Sequence, residues 1–554
     1  MNIVPPGNEP ASHPFRKEHI GWWRPDDLLS QTGETDLKGA LLRLRRPLYM
    51  VEKDGRVVYE TGGVVRFGSP GEDGFPLMGF APPCLPENLG DPDFCREFGI
   101  RYPYIGGSMA KGISSAGMVE ELGRAGMLCF FGAAGIPLAD VESAADRLAS
   151  SMGSIPFGFN LIHSPHEPEL EKRLAALYIA KGARIVEASA FLELTLPLVR
   201  YRLHGIHRRP DGTVVAPNTI FAKVSREELA GKFMSPPPEP LIRELVNGGE
   251  LTEEQAGLAS RIPMARFVTA EADSAGHTDN RPAIALFPTI RSIAARMALK
   301  YGYGNRIYTG LAGGISTPAA AAAAFSMGAA YIMTGSVNQA CLESGTSEEV
   351  RAMLAEARQA DVTMAPAADM FEMGVNVQVL KRGTMFPMRA AKLFELYRTY
   401  DSLAQIPDPE RDRLEKNLFR APLDEIWQET RSYFLNRDPK EAERGDRDQK
   451  HRMALVFRWY LGQAAHWARD GESSRRIDYQ VWCGPAMGAF NEWAAGSPLQ
   501  QPDRRTVVTV AMNILFGAAV LTRANFLRCQ GTPLPDGLQA MEPLELNQIK
   551  EYLR

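Results

Sequence analysis

The sequence predicts an α/β protein: a (β/α)8 TIM barrel, with a small N-terminal β-containing region before it and an α-helical C-terminal domain after it. Three observations carry this expectation. Between about residues 104 and 334, short apolar runs alternate with helical stretches eight times, the count of a closed barrel. Near the end of that alternation, RIYTGLAGGISTPAAAAAAFSMGAAYIMTGSV (306–337) carries two glycine-bearing turns, one after each of two consecutive apolar strands. Beyond about 345, long amphipathic patterns replace the alternation. An open doubly wound sheet is the alternative, but the glycine fingerprint after its first strand is missing. The expected division is 1–100, 101–345 and 346–554.

The N-terminal region reads as a small irregular unit. Its clearest signal is a hairpin in RPLYMVEKDGRVVYETGG, two β-prone runs around Lys53-Asp54-Gly55-Arg56. The alternation then opens with a strand over Ile105–Met109 and a helix that Ser114 or Ser115 can cap and Gly126 can end. Strands follow at Met127–Phe131, 157–162, Arg184–Ala188, Asn218–Val224, Arg266–Ala270, Ile307–Leu311 and Ala330–Met333. Helices are expected over Asp140–Ser151, Pro168–Lys181 and Leu192–Arg202, with a capping box at Thr252–Gln255. In the last helix of the alternation, Ser316 or Thr317 can cap and Pro318 suits the first turn. No further strand is expected after 345.

Bulk properties narrow the function. A chain of 554 residues exceeds what one core usually organises. At 45% hydrophobic and 23% charged, with net charge −4, it lacks the basic face that nucleic-acid binding usually needs. The six cysteines stand apart with no CxxC spacing, which suits reduced thiols in a cytoplasmic protein and neither a zinc site nor a disulfide frame. The N-terminus has prolines and charges where a signal peptide needs an apolar core, and Val507–Leu521 reads as a buried helix too short for a bilayer.

In a barrel the active face is at the strand C-termini, so the residues just after each strand carry the chemistry. Gly313 and Gly314 let a ligand approach the backbone, and their N–H groups with the helix start behind them suit a dianionic phosphate. Thr334, Gly335 and Ser336 offer further N–H donors and hydroxyls on the same face. The other strand-end residues include Met109, Ala110, Asn160, Glu187, Lys223 and Glu271. A phosphate cradle in a mouth of small and apolar groups suits a planar phosphorylated cofactor, and FMN fits. Met109 and Ala110 can lie against its ring while Asn160 and Lys223 reach the polar edge, where a positive group stabilises the anionic reduced form. His277, in the loop EADSAGHTDNRP after the sixth strand, is placed to handle a proton. The stretches FRWYLG and DYQVWCGPAMGAFNEW read as core of the helical domain.

GSMAKGISSAGMVEELGRAGMLCFFG, PFGFNLIHSP, EADSAGHTDNRP and the 306–337 stretch together resemble the nitronate monooxygenase superfamily, which includes flavin-dependent enoyl-acyl-carrier-protein reductases. The C-terminal stretches MFEMGVNVQVLKRGTMFPMRAAKLFELY, FRWYLG and DYQVWCGPAMGAFNEW resemble more specifically the PfaD type, trans-acting enoyl reductases of polyketide and polyunsaturated fatty acid synthases. The resemblance implies FMN held by Met109, Ala110, Asn160, Lys223, Gly313, Gly314, Thr334, Gly335 and Ser336, with His277 near the flavin as a proton-handling residue. It also implies NADPH as electron donor, an enoyl chain on an acyl carrier protein as substrate, and no nucleic-acid or membrane partner; a homodimer is compatible with it. The basic cluster Lys381, Arg382, Arg389 and Lys392 offers a surface for an acidic carrier. Two other readings stay open, a nitronate or nitroalkane monooxygenase and a non-catalytic assembly subunit of a synthase.

Overall fold

The computed structural model describes residues 19–26, 36–68, 74–163, 167–276, 278–532, 534 and 541–554. Eight parallel strands close into a barrel in sequence order: β1 (Tyr104–Gly106), β2 (Leu128–Phe131), β3 (Gly158–Ile162), β4 (Ile185–Ser189), β5 (Thr219–Val224), β6 (Phe267–Glu271), β7 (Tyr308–Ala312) and β8 (Ile332–Thr334). Closure comes from the pairing of Ile332 with Tyr104, Met333 with Ile105 and Thr334 with Gly106. The predicted strands agree with these to within three residues at either end.

Local choices follow from side-chain chemistry. Ser115 caps the helix Ala116–Arg124, accepting from the Met118 N–H. Ser114 is instead buried, donating to the Gly107 carbonyl and accepting from the Met109 N–H, each at 2.9 Å. Thr317 caps Pro318–Ser326, and the Thr252–Gln255 capping box is complete.

Side chains alternate between the two faces of a strand, so positions two apart on a barrel strand share its interior. Low in the barrel those positions are aromatic. Phe221, Phe267, Tyr308 and Tyr331 surround Phe94, whose ring stacks on Tyr331 at 4.6 Å. Two residues further along β5 stands Lys223, and four along β6 stands Glu271, so the interior turns polar toward the strand C-termini. Gly310 makes room for the ring of Tyr331, because a β-carbon there would lie 2.0 Å from it. The helix Pro92–Phe98 brings Phe94 and Phe98 to the floor.

The chain falls into two compact units. One comprises 87–515 and 542–546 and contains the barrel and most of the helical region. Within it, a cluster of buried side chains from Phe386, Leu393, Trp427, Phe457 and Tyr460 forms a second core. Sequence reading expected no strand here, yet Val362–Pro366 pairs antiparallel with Asn376–Leu380. Each run is only five residues and lies among helices, so its period-two signal was too short to separate from its surroundings.

The other unit comprises 1–86, 516–541 and 547–554. Its five-stranded antiparallel sheet contains the expected hairpin, Leu48–Lys53 with Arg56–Glu60, turning at Asp54 and Gly55 with φ of 51° and 74°. The buried Arg523 guanidinium donates to the carbonyls of Leu41, Arg43, Arg46 and Pro82, which ties that sheet's surroundings to the chain's last long helix. That helix, Val507–Cys529, runs 23 residues and extends beyond the stretch read from sequence. It is long and apolar enough to cross a membrane by length and composition, and 83% of its most apolar window is buried inside the protein.

Replacing Phe94 by Ala should remove the ring on which the barrel floor packs. Denaturant unfolding is expected to report a loss of about 3–5 kcal/mol; an unchanged midpoint would mean the floor collapses without cost.

Candidate active site

At the C-terminal ends of the strands lies a cavity of about 560 Å³, within the roughly 300–1,000 Å³ typical of ligand sites. Met109, Ala110, Asn160, Lys223, Gly313, Gly314, Thr334, Gly335 and Ser336 all line it. His277 lies outside the described residues; its neighbour Gly276 is on the cavity wall.

Two glycine turns form one end of the cavity. Gly313 and Gly314 both have positive φ, 84° and 75°, a conformation that L side chains rarely adopt. A β-carbon on Gly313 would stand 2.6 Å from the Ala272 carbonyl oxygen, whereas one on Gly314 or Gly335 would meet open space. The N–H groups of Gly314, Ile315, Gly335 and Ser336 have no acceptor among the described residues. Together with the capped helix Pro318–Ser326, these amides form a cradle whose donors can bind an anion. The hydroxyl of Thr334 is not part of it. That oxygen donates to Tyr104 at 2.6 Å and accepts from Asn338 at 2.9 Å, so Thr334 faces the interior and leaves only its backbone to the cradle.

The loop after β1 is held rigidly beside the cradle. A β-carbon on Gly132 would lie 1.8 Å from the Met109 carbonyl oxygen, so only glycine lets Met109 and Ala110 pack on the end of β2. Lys111 N–H donates to Ala134 and Gly112 N–H to Gly132, which fastens the two loops together.

Lys223 was expected as the positive group at the polar edge of the mouth, and the structure pairs that charge with two of the other strand-end residues. Its Nζ is 2.9 Å from Glu271 Oε1 and 3.9 Å from Glu187 Oε2, with the Glu187 side chain fully buried. Burial works against the lysine charge, but Glu271 and Glu187 outweigh it and hold the pKa above the ordinary lysine value. Burial pushes the Glu187 carboxyl up, opposed by Lys223 and by the hydrogen bonds from Ser108, while Glu271 adds to the rise. The Ser108 N–H donates to Glu187 Oε2 at 3.2 Å and its hydroxyl donates to the same oxygen. Asn160 Nδ2 completes the ring of contacts, donating to Ser189 Oγ at 3.0 Å and to the Glu187 carbonyl at 3.3 Å. One ammonium between two carboxylates gives no net positive field.

The helical region supplies the rest of the wall. From the stretches read as core, Arg458, Trp459, Gly462, Gln480, Trp482 and Gly484 line the cavity. Phe457, Tyr460 and Leu461 are the core residues of FRWYLG, so the stretch serves both roles. Trp459 Nε1, Gln480 Oε1 and Ser274 Oγ are buried on this wall without partners among the described residues. Such atoms are rare in folded proteins and mark places where a ligand can supply the missing bond. The loop after β6 is framed from the same side: Gln378 Nε2 and Asn280 Nδ2 both donate to Asp273 Oδ1, at 2.5 and 2.7 Å. The only sequence signal for these wall residues was aromatic density, which a core shares.

The expected basic cluster is largely neutralised. Arg389 pairs with the buried Asp478, Arg382 with Glu356 and Asp361, and Lys392 with Glu395 and Glu410.

Residues 400–479 match the family model of the inserted helical domain of acyl-carrier-protein S-malonyltransferase. The chain is 46% identical over 499 residues to a polyunsaturated fatty acid synthase subunit from Thraustochytrium sp., an overlap of 89% of this chain and 33% of that one. It is 41% identical over 436 residues to polyketide biosynthesis protein PksE of Bacillus subtilis, covering 78% of this chain and 56% of that one. It thus spans about a third of the first relative and little more than half of the second. Among solved structures, the enoyl reductase domain of MlnA from the macrolactin biosynthesis cluster of Bacillus amyloliquefaciens is 39% identical, with a TM-score of 0.76 over 79% of this chain and 99% of that domain.

Lys223→Met should leave Glu187 and Glu271 buried without a cation and lower stability by about 3–5 kcal/mol. A carboxyl whose folded pKa is raised contributes stability below its unfolded value, about 4.3, and loses it as pH rises through the folded value. The deficit against wild type should therefore be smaller in mild acid than at neutral pH, as thermal melts in the two buffers would read. A deficit independent of pH would contradict this charge assignment.

Proposed function

The chain belongs to the PfaD-type family of enoyl reductases, oxidoreductases of polyketide and polyunsaturated fatty acid synthesis, and from that premise we propose that it is an FMN-dependent, NADPH-using enoyl reductase. The substrate in this reading is an α,β-unsaturated acyl chain on an acyl carrier protein, and the enzyme acts on it in trans. The observation that carries the proposal is the cradle of unpartnered amides opening into a largely apolar cavity at the barrel's active face.

The residues present fit FMN. The amides of Gly314, Ile315, Gly335 and Ser336 would hold its phosphate, Met109 and Ala110 would lie along its ring, and Asn160 and Lys223 would meet its polar edge. When bound, FMN supplies the hydride that NADPH provides and the β-carbon of the enoyl chain receives. Lys223 acts there as a fixed hydrogen-bond donor whose charge Glu187 and Glu271 balance. Ile162, Leu170, Leu455 and Leu461 offer an apolar surface for the acyl chain, and Trp459 and Trp482 close it from the helical side, excluding water. His277 is the proposed proton-handling group on the sequence reading. The match of 400–479 to a domain of an enzyme that acts on acyl carrier protein supports a carrier-bound substrate.

Two measurements test this reading. Gly314→Leu should weaken FMN binding by about 10²-fold or more in a fluorescence titration, since a side chain would fill the phosphate's approach; its positive φ adds a strain of about 1–2 kcal/mol. Undiminished FMN affinity would remove the cradle assignment. In the second, the NADPH-reduced holoenzyme meets an enoyl-carrier thioester without oxygen, and the expected product by mass is the saturated thioester. No saturated product, with rapid aerobic turnover of a nitronate, would move the assignment to a monooxygenase.

A further inference from the structure

Lys111 follows Met109-Ala110 directly and lines the same cavity, and nothing in the cofactor cradle accounts for it. Its backbone has φ of 61°, a left-handed conformation that L residues rarely adopt. The strain is held by the bond from its N–H to the Ala134 carbonyl at 2.7 Å and from the Gly112 N–H to the Gly132 carbonyl at 3.0 Å. Such strain persists where surrounding structure enforces it, and it clusters at functional sites. The side chain lies flat over Gly135, where a β-carbon would stand 3.0 Å from Cδ and Cε and 3.1 Å from Nζ.

The amine ends 3.0 Å from Nε2 of His466, which comes from the helix Gln449–Asp470 of the helical region. No carboxylate lies within ion-pair distance of Nζ among the described residues. The charged groups facing it are the cations Arg437 and Arg469 and the carboxylates Glu167 and Asp369, with Arg437 paired to Glu167 at 3.0 Å. Burial, with Arg437 and Arg469, brings the Lys111 pKa down to about 8. Burial, with Lys111 and Arg469, brings that of His466 down to about 4 against the opposing pull of Asp470. At neutral pH the pair is therefore an ammonium donating to a neutral imidazole. One N–H is taken by His466 and two remain for a ligand.

We propose that Lys111, positioned by His466, is a catalytic residue that binds the thioester carbonyl oxygen of the substrate and stabilises the enolate formed during reduction. This rests on the reductase reading above. Hydride addition forms the new C–H bond at the β-carbon. The π pair of the double bond shifts toward the carbonyl, leaving an enolate with negative charge on oxygen. The Lys111 ammonium donates a hydrogen bond to that oxygen and keeps its proton. The enolate then collapses as a proton from water, directly or through His277, bonds to the α-carbon. An oxygen that becomes more negative in the transition state is held more tightly there than in the ground state, which is the condition for acceleration.

The test uses the FMN-loaded protein, NADPH and a carrier-free crotonyl-pantetheine thioester. Lys111→Met should leave NADPH-driven flavin reduction intact and slow flavin reoxidation by the thioester about 10²–10³-fold. Because the protonated amine is the active form, wild-type kcat should hold below pH about 8 and fall as pH rises through it. Lys111→Arg, which stays charged, should restore part of the rate and abolish that alkaline fall. His466→Gln keeps an acceptor and should preserve the profile; His466→Leu removes it, disfavours the ammonium and should move the fall to lower pH. A readout without turnover accompanies these: acetic anhydride labelling of Lys111, followed by mass spectrometry, should show half-reactivity near pH 8 in wild type and lower in His466→Leu. Wild type that reduces the thioester while Lys111→Met does so equally fast, with the same pH profile, would overturn the proposal alone. Wild type that leaves the thioester unreduced would overturn the reductase reading and this proposal with it.

Discussion

Closure of the sheet between Tyr104–Gly106 and Ile332–Thr334 is the constraint on which the site depends. Parallel strands in sequence order all end on one face, so closure brings residues more than two hundred positions apart around one opening. Met109 and Ser336 share a cavity wall for this reason alone. Closure also forces the interior to be filled from below. The aromatic floor around Phe94 does that, and the strand positions above it are left to polar groups.

Those polar groups are arranged to tolerate burial. Glu187 and Glu271 would each be costly alone in a dry interior, and so would Lys223. Together, with Ser108 and Asn160 supplying hydrogen bonds, they form a connected set whose members each have partners. A set of this kind contributes less to stability than to position, since an apolar replacement of similar volume often does as well energetically. Its value at this face is a rigid array of donors and acceptors with little net charge. The cationic character then falls to Lys111, which lines the same cavity and has no ion-pair partner among the described residues.

The helical region is therefore part of the site as much as the barrel is. Gln378 braces the loop after β6, Trp459 and Trp482 close the cavity, and His466 holds Lys111. A barrel without this region would keep the cradle and lose the wall. The apparent docking surface begins in the same region, but its charges are mostly committed to neighbouring carboxylates; Arg389, for example, pairs with Asp478 together with Arg475 and Tyr460.

What the sequence determined by itself is what local rules govern. The strands, the capped helices and the two glycine turns were legible because period, caps and backbone freedom act within a few residues. Strand order followed once the alternation was counted, because parallel strands joined by single helices leave few topologies. Gly313, Gly314, Gly335 and Ser336 were therefore expected on one face with Met109, Ala110, Asn160 and Lys223, and all eight line one cavity. Only the tertiary structure decided which way Thr334 points, that Lys223 is balanced by Glu187 and Glu271, and that His466 reaches Lys111. Each of these depends on contacts between elements distant in the chain, and one strand's pattern is the same whether its polar residue faces a cation, a carboxylate or water. The short hairpin of Val362–Pro366 and Asn376–Leu380 belongs with them, since five residues of alternation carry too little period to be read without the partner strand.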